Sequence, residues 1–568
     1  MSEEIRVPLQ RLAPVFCLLS FFLFSYHNGE ISLHHTDEQY YIQSCRSMAE
    51  RGDWLTPVLS GEKRFAKPIL FYWPVALSFK IFGVSLSAAR LVPALFAALG
   101  LWVTFRLGTS LFGIRAGLYA AFILASSYLY FLSARLAYTD MALCFFITLA
   151  LYFFSRTVKK EAAGGRNIFF FYMAAGLATA TKGPPGFLLP GLIAAGYLGL
   201  TRDRAMARRF FHAPGLAVFL CLSLFWPTAM TLLHGDAFLH HLIQAEGKDR
   251  VFHAGIPSLY FFGVLLRYFL PWSFFLLAAA FTAFGKERGQ LRNEERFQLF
   301  LWVWLGVSLV VFTLVRIEHS RYMLPAAPAM ALLLGYYFQR WTLGAPFRDR
   351  GFLISFYLTL TLYSALAGIT FPAAGLLSYL RWEGASSMIF FIPLVFLMGA
   401  GRMISFRRRG NWTLLPVIIA FPLLISFPLL AGKILPMLNP DPMMAFAGSI
   451  NNGWRQGTQV GTHGFGNGNE RLRILTGRPV ESLETEEELH AFLQRKGPLF
   501  LVIREEDFSR LPESLVSGLG IVGETKKWKK MRLNREAWPP RWAAFSPGFQ
   551  EGFKVKVFLV HKAGEEDS

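Results

Sequence analysis

Residues 414–431 read LLPVIIAFPLLISFPLLA, eighteen positions without a charged group. A hydrocarbon core about 30 Å thick asks for roughly 17–25 mostly apolar residues in a helix, so this stretch can cross a bilayer. Comparable runs recur at Pro14–Tyr26, Leu118–Tyr130, Phe169–Ala180 and Leu353–Ala367. One such run could be a buried core helix. A chain full of them is a polytopic membrane protein. Composition agrees: 54% of the 568 residues are hydrophobic and only 17% charged, where a soluble chain carries about 25% charged residues.

Hydropathy places about thirteen spans, near 11–26, 86–108, 115–133, 139–155, 168–182, 186–200, 213–233, 258–282, 297–315, 323–339, 352–371, 387–401 and 411–431. The net charge of +20 is not gathered into a nucleic-acid-binding patch. It falls in short clusters between spans: Arg106/Arg115, Arg156/Lys159/Lys160/Arg166, Arg202/Arg204/Arg208/Arg209, Lys286/Arg288/Arg292/Arg296, Arg340/Arg348/Arg350 and Arg402/Arg407/Arg408/Arg409. The alternate loops hold one or two basic residues each. The positive-inside rule then puts the N-terminus in the cytoplasm and the C-terminus outside, with membrane lipid as the anionic partner. The first run lacks a small-residue cleavage site and reads as a retained signal-anchor. Four cysteines, three of them inside apolar runs, define neither a disulfide framework nor a metal site.

Residues 1–440 thus read as the transmembrane part, with a long polar loop at 27–85. Residues 441–568 read as a small extracytoplasmic α/β domain. Pro498–Arg504 (PLFLVIR) and Lys554–Val560 (KVKVFLV) have strand character, and Thr485–Glu488 carries a capping-box pattern for a helix that Gly497 closes. Gly464–Gly468 (GFGNG) lacks the spacing of a dinucleotide fingerprint and reads as a turn.

The ionisable residues of the outer loops carry the functional interest. His34-His35-Thr36-Asp37-Glu38-Gln39-Tyr40-Tyr41 follows the first span. Thr36 or Asp37 could simply cap a helix over 38–51; a carboxylate pair at the membrane boundary also suits a base acting on a polar acceptor. Lys67, set among aromatics in Arg64–Trp73, suits a cation facing a lipid phosphate. Asp140 opens the fourth span, where capping competes with function. In Lys182-Gly183-Pro184-Pro185-Gly186 the turn explains the glycines and prolines but not the lysine. Arg316–Pro325 concentrates charge at a span entrance, a costly placement. Neither His34/His35 nor His240/His241 chelates as a unit, because adjacent helical residues point apart.

Taken together, TDEQYY…RSMAERGDWLTP…FAKPILFYW (36–73), ARLAYTD (134–140), GLATATKGPPG (176–186) and RYMLPAAP (321–328) resemble the motifs of the C-superfamily (GT-C) glycosyltransferases. They are similar in order and content to the family of dolichyl-phosphate-mannose protein mannosyltransferases and bacterial aminoarabinose (lipid A) transferases. The resemblance covers roughly the first 340 residues. It implies a GT-C fold and an inverting transferase that takes a sugar from a polyprenyl (undecaprenyl) phosphate outside the cytoplasmic membrane, with 27–85 as its catalytic loop. It makes Asp37, beside Glu38, the catalytic acidic residue and Asp140 the second functional acid. It assigns Lys67 and the Arg321–Tyr322 region to the donor phosphate. The chain departs from the aminoarabinose branch at Ala66, where Glu precedes the Lys-Pro, and at Gly247, where His follows Glu. Those two residues are metal-associated in that branch, so no metal or other cofactor is expected here. Tyr40 and Glu318 also stand where Arg and Lys are common.

Chemically, a glycosyl phosphate brings its own leaving group and needs positive charge on the departing phosphate. Lys67, Arg321 and Lys182 can supply that charge, with Tyr322 donating a hydrogen bond. The acceptor favoured by the motifs is lipid A of lipopolysaccharide, ahead of a protein hydroxyl (O-mannosylation) or another envelope glycan. A flippase for lipid-linked cargo is the alternative of another class. Transporters, however, place their polar groups near the bilayer midplane on paired interrupted helices, and this chain gathers them at outer span ends.

Overall fold

A computed structural model describes residues 3–33, 36–59, 61–159, 164–243, 259–284, 293–315, 318–343, 350–379, 387–410, 412–438, 440–466, 468–528 and 554–562. His34, His35, Glu246, Gly247 and Arg316 lie outside them. The chain divides into two compact units. One holds Met1–Tyr26, Gln43–Ala367 and Leu394–Pro428; the other holds His27–Ile42, Gly368–Pro393 and Leu429–Ser568.

The first unit is helical. Its elements are α1 (Glu3–Ser25), most of α2 (Thr36–Arg51), α3 (Tyr72–Phe82), α4 (Leu86–Phe112), α5 (Ile114–Ala125), α6 (Tyr128–Ala134), α7 (Thr139–Val158), α8 (Gly164–Lys182), α9 (Pro185–Thr201), α10 (Arg204–Arg209), α11 (Ala213–His234) and α12 (Asp236–His241). Further helices cover Tyr260–Tyr268, Trp272–Phe284, Asn293–Val315, Ala327–Leu343, most of Arg350–Tyr379, most of Phe391–Arg409 and nearly all of Leu415–Leu429. A two-residue hairpin, β1 (Val58–Leu59) with β2 (Glu62–Lys63), lies in the 27–85 loop. The buried face of α4 is built from small residues such as Ala88, Ala89, Ala94 and Ala97, which lets neighbouring helices approach closely without a hydrophobic driving force between them.

Helix occupies each of the thirteen expected positions, yet only seven helices among the described residues are long and apolar enough to cross a membrane, or nine if each of two bent pairs is one span. Hydropathy does not see bends. α5 and α6 meet at 67° and Tyr260–Tyr268 meets the next helix at 114°. α9 has only 17 residues, with Pro190 inside it.

The second unit carries the C-terminal sheet. Strands β3 (Gln459–His463), β4 (Glu481–Leu483), β5 (Leu499–Arg504), β6 (Leu519–Trp528) and β7 (Lys554–Lys562) lie in the order β4-β3-β5-β7-β6. β3 is parallel to β4 and β5, while β7 is antiparallel to β5 and β6. Along β5 the side chains alternate between two cores. Phe500 and Val502 pack with Met443, Phe446 and Leu472; Leu499, Leu501 and Ile503 pack with Leu489, Phe492 and Phe558. A strand buried on both faces reads as an unbroken apolar run, as LFLVIR does. The helix at Glu486–Gln494 is capped reciprocally: Thr485 Oγ1 accepts from the Glu488 amide at 3.1 Å and Glu488 Oε2 accepts from the Thr485 amide at 3.1 Å. Gly464 and Gly466 both take positive φ, as a turn after β3 requires.

Candidate active site

α7 starts at Thr139 after an extended Tyr138 and carries Asp140 in its first turn. α8 runs back along α7 and ends on Lys182. Gly183 then turns the chain at φ +79°, and a Cβ on Gly186 would stand 2.3 Å from the backbone of Ala178 and Thr179. Both glycines are therefore needed to bring α9 against α8 directly after Lys182. Arg321 and Tyr322 sit on a 3-10 turn, Ser320–Ala326. That turn is anchored twice: Cys144 Sγ meets the Leu324 carbonyl at 3.4 Å and Trp304 Nε1 donates to the Pro325 carbonyl at 2.8 Å. Cys144 stands one helical turn from Asp140, so the anchor and the acid share a face of α7.

The result is a compact charge cluster. Lys182 Nζ lies 2.5 Å from Asp140 Oδ1, and Arg321 Nε lies 3.7 Å from Asp140 Oδ2. Side-chain exposure is only 10% for Lys182, 7% for Asp140 and 19% for Arg321. The Lys182 ammonium stands 4.6 Å from the centroid of the Tyr322 ring, and the Arg321 guanidinium 4.7 Å from that of Tyr138. Ring faces at these distances attract cations and hold them without neutralising them. Two cations thus share one carboxylate in a place where charge is weakly screened. Both Asp140 oxygens are turned to cations, which favours the functional reading of this residue over capping.

The loop holding Lys67 is fixed from several sides. Arg64 Nη1 donates to Tyr72 Oη at 2.7 Å, and Trp73 and Trp226 donate to the carbonyls of Trp54 and Leu55 at 2.7 and 3.0 Å. His234, the last residue of α11, lies 3.1 Å from Lys63 Nζ through Nδ1 and 3.0 Å from Thr56 Oγ1 through Nε2. Since an ammonium can only donate, Nδ1 is the acceptor and Nε2 carries the proton given to Thr56. The Phe65 ring packs tilted against His234 and edge-on against Phe238 and His241. Lys67 itself is half-buried, just before a 3-10 turn, Ile69–Phe71, that packs on α8.

Asp37 and Glu38 belong to the other compact unit. They lie in the first turn of α2, which begins at Thr36, with Asp37 half-buried and Glu38 fully buried. A carboxylate suits the positive end of a helix, but complete burial of Glu38 exceeds what a surface cap needs. The structure therefore brings Asp140, Lys182, Arg321 and Tyr322 together and fixes the Lys67 loop. Tyr138 and the Lys63–His234–Thr56 triad were not singled out by the sequence. Tyr138 could have been, as the residue next to Thr139-Asp140 in the 134–140 motif. The triad joins residues about 170 positions apart and leaves no local signal. Among the described residues no group of three or more His, Cys, Asp or Glu is placed to hold a metal ion.

Helices at the span positions and a small C-terminal sheet make a fold of the GT-C type. Over 98% of both chains the structure superposes, with a TM-score of 0.72 and 19% identity, on ArnT from Cupriavidus metallidurans bound to undecaprenyl phosphate. Residues 66–230 match the family model of dolichyl-phosphate-mannose-protein mannosyltransferases. An uncharacterized protein of Aquifex aeolicus is 33% identical over 318 residues, 55% of this chain and 60% of that protein. An undecaprenyl phosphate-alpha-4-amino-4-deoxy-L-arabinose arabinosyl transferase of Pseudomonas fluorescens is 28% identical over 306 residues, 53% of this chain and 54% of that one. The match thus spans little more than half the length of these relatives. Over part of its length the chain is thus similar to the protein mannosyltransferases and the aminoarabinose transferases.

Proposed function

We propose that this protein transfers a sugar, with inversion, from a polyprenyl phosphate to an envelope acceptor on the extracytoplasmic face of the cytoplasmic membrane, its N-terminus inside and its C-terminal domain outside. The observation that carries the proposal is the sharing of Asp140 by Lys182 and Arg321. A pair of cations oriented by one acid, and lightly exposed, is preorganised for a phosphate whose charge grows as the sugar departs. In the step envisaged, the bond from the anomeric carbon to the phosphate oxygen breaks and its electron pair stays on the phosphate. The acceptor oxygen bonds the opposite face of that carbon, and where that oxygen belongs to a hydroxyl its proton passes to Asp37. No general acid is needed, because the phosphate is already a good leaving group.

The donor reading follows from access. Nucleotide sugars are made in the cytoplasm, whereas the candidate groups belong to loops read as external. A polyprenyl tail beside the helices gains about 0.8 kcal/mol for each CH₂ buried in lipid, which holds the phosphate at headgroup depth near Lys67 and Arg321. Lipid A is the acceptor we favour, since relatives named as aminoarabinose transferases match more than half of the chain. With an anionic lipid A phosphate as acceptor, Asp37 positions more than it deprotonates. The purified full chain should transfer sugar from synthetic polyprenyl-phosphate donors and be inert with nucleotide sugars; the reverse result would overturn donor and mechanism together. Presenting lipid A, a Ser/Thr peptide and an envelope oligosaccharide in parallel identifies the acceptor class.

A further inference from the structure

A cavity of about 720 Å³ opens at the opposite end of the α8–α9 hairpin from the charge cluster. α9 leaves Lys182 and runs 17 residues to Thr201, about 25 Å at 1.5 Å per residue. The cavity is lined by apolar groups, among them Phe171, Leu198, Phe211 and Leu216, and by two arginines, Arg202 and Arg204. Its size falls within the roughly 300–1,000 Å³ of ligand pockets. Phe211 and Leu216 are exposed, and only 11% of the adjoining span α11 is buried within the protein. The cavity therefore opens beside a lipid-facing helix.

The arginines point to what fills it. Both are exposed, and neither has an ion-pair partner among the described residues. The carboxylate between them, Asp203, accepts from the Met206 amide at 2.9 Å and so starts α10. Arg202 ends α9 with a left-handed backbone, φ 55° and ψ 28°. A glycine would adopt that conformation at less cost, yet a guanidinium stands there. Arg208 and Arg209 add two more exposed cations in the same short helix.

We propose that this cavity is a binding site for a diacyl anionic phospholipid, its phosphate on Arg202 and Arg204 and an acyl chain between α8 and α9. The site is independent of the sugar-transfer reading. Its test uses the purified full chain in detergent, with retained lipid read by native mass spectrometry. Phosphatidylglycerol should be retained over phosphatidylcholine by about tenfold, two arginines near an anionic headgroup sufficing for that. Millimolar inorganic phosphate should not displace it. R202Q/R204Q should equalise the two lipids. G199L should expel both, and it should fold: Gly199 lines the cavity, an added Cβ there meets nothing within 4 Å, and Leu is a better helix former than Gly. Equal retention of the two lipids by the unaltered protein, a preference that survives R202Q/R204Q, retention unchanged in G199L, or displacement by inorganic phosphate would each overturn the proposal.

Discussion

Asp140 and Lys182 face each other across the ends of two antiparallel helices, Oδ1 to Nζ at 2.5 Å, with neither side chain more than 10% exposed. Removing one member of a buried pair leaves the other uncompensated and typically costs about 3–5 kcal/mol. Asp140→Asn should therefore lower both activity and the thermal midpoint of the detergent-solubilised protein. Adding Lys182→Met to Asp140→Asn should recover most of the midpoint and none of the activity. Recovery of both would make the pair purely structural.

Asp37→Asn removes a charge without changing volume. Turnover should fall to background while expression in the membrane and the unfolding midpoint stay close to those of the parent. Near-normal turnover would mean that Asp37 does no more than start α2.

Lys67→Ala should weaken donor use. The KM for the polyprenyl donor should rise by about tenfold or more, matching the loss of one charge-assisted hydrogen bond to phosphate, with kcat falling less. An unchanged donor KM would remove Lys67 from the phosphate site.

Ala66 and Gly247 stand where a related branch carries metal-associated residues, so activity should survive dialysis against chelators. A stoichiometric metal lost together with activity, and restored with it, would refute this.

Single cysteines introduced into the 30–80 loop and beyond 440 should react with impermeant maleimide in intact spheroplasts, and one replacing Arg408 should not. Labelling of Arg408→Cys from outside would invert the topology inferred from the basic clusters.

Much of the site was legible because the chemistry sits in short polar motifs interrupting apolar sequence. Asp140, Lys182 and Arg321 each stood out as charges at span ends, and the structure joins those three. The strand LFLVIR and the Thr485–Glu488 cap were equally local and appear as read. What escaped was set by tertiary contact. His234 closes on Thr56, 178 positions away, and no spacing rule links them. The bend at Ser126–Ser127 lies within a run whose hydropathy is uniform, so α5 and α6 read as one straight span.

Arg135, at the end of α6, donates to the carbonyls of Phe24 and Tyr26 at 3.0 and 2.6 Å. Those carbonyls belong to the last turn of α1 and the residue just beyond it, groups a helix end leaves without partners. In a ribosome-to-membrane sequence of events, the first helix enters the bilayer long before its arginine has been synthesised. Its C-terminal end is then completed only when a hairpin emerging roughly a hundred residues later folds back on it. The end of the first helix is thus a late-finished part of the protein. Exchanging that helix for an unrelated hydrophobic segment should slow assembly even where the replacement inserts equally well.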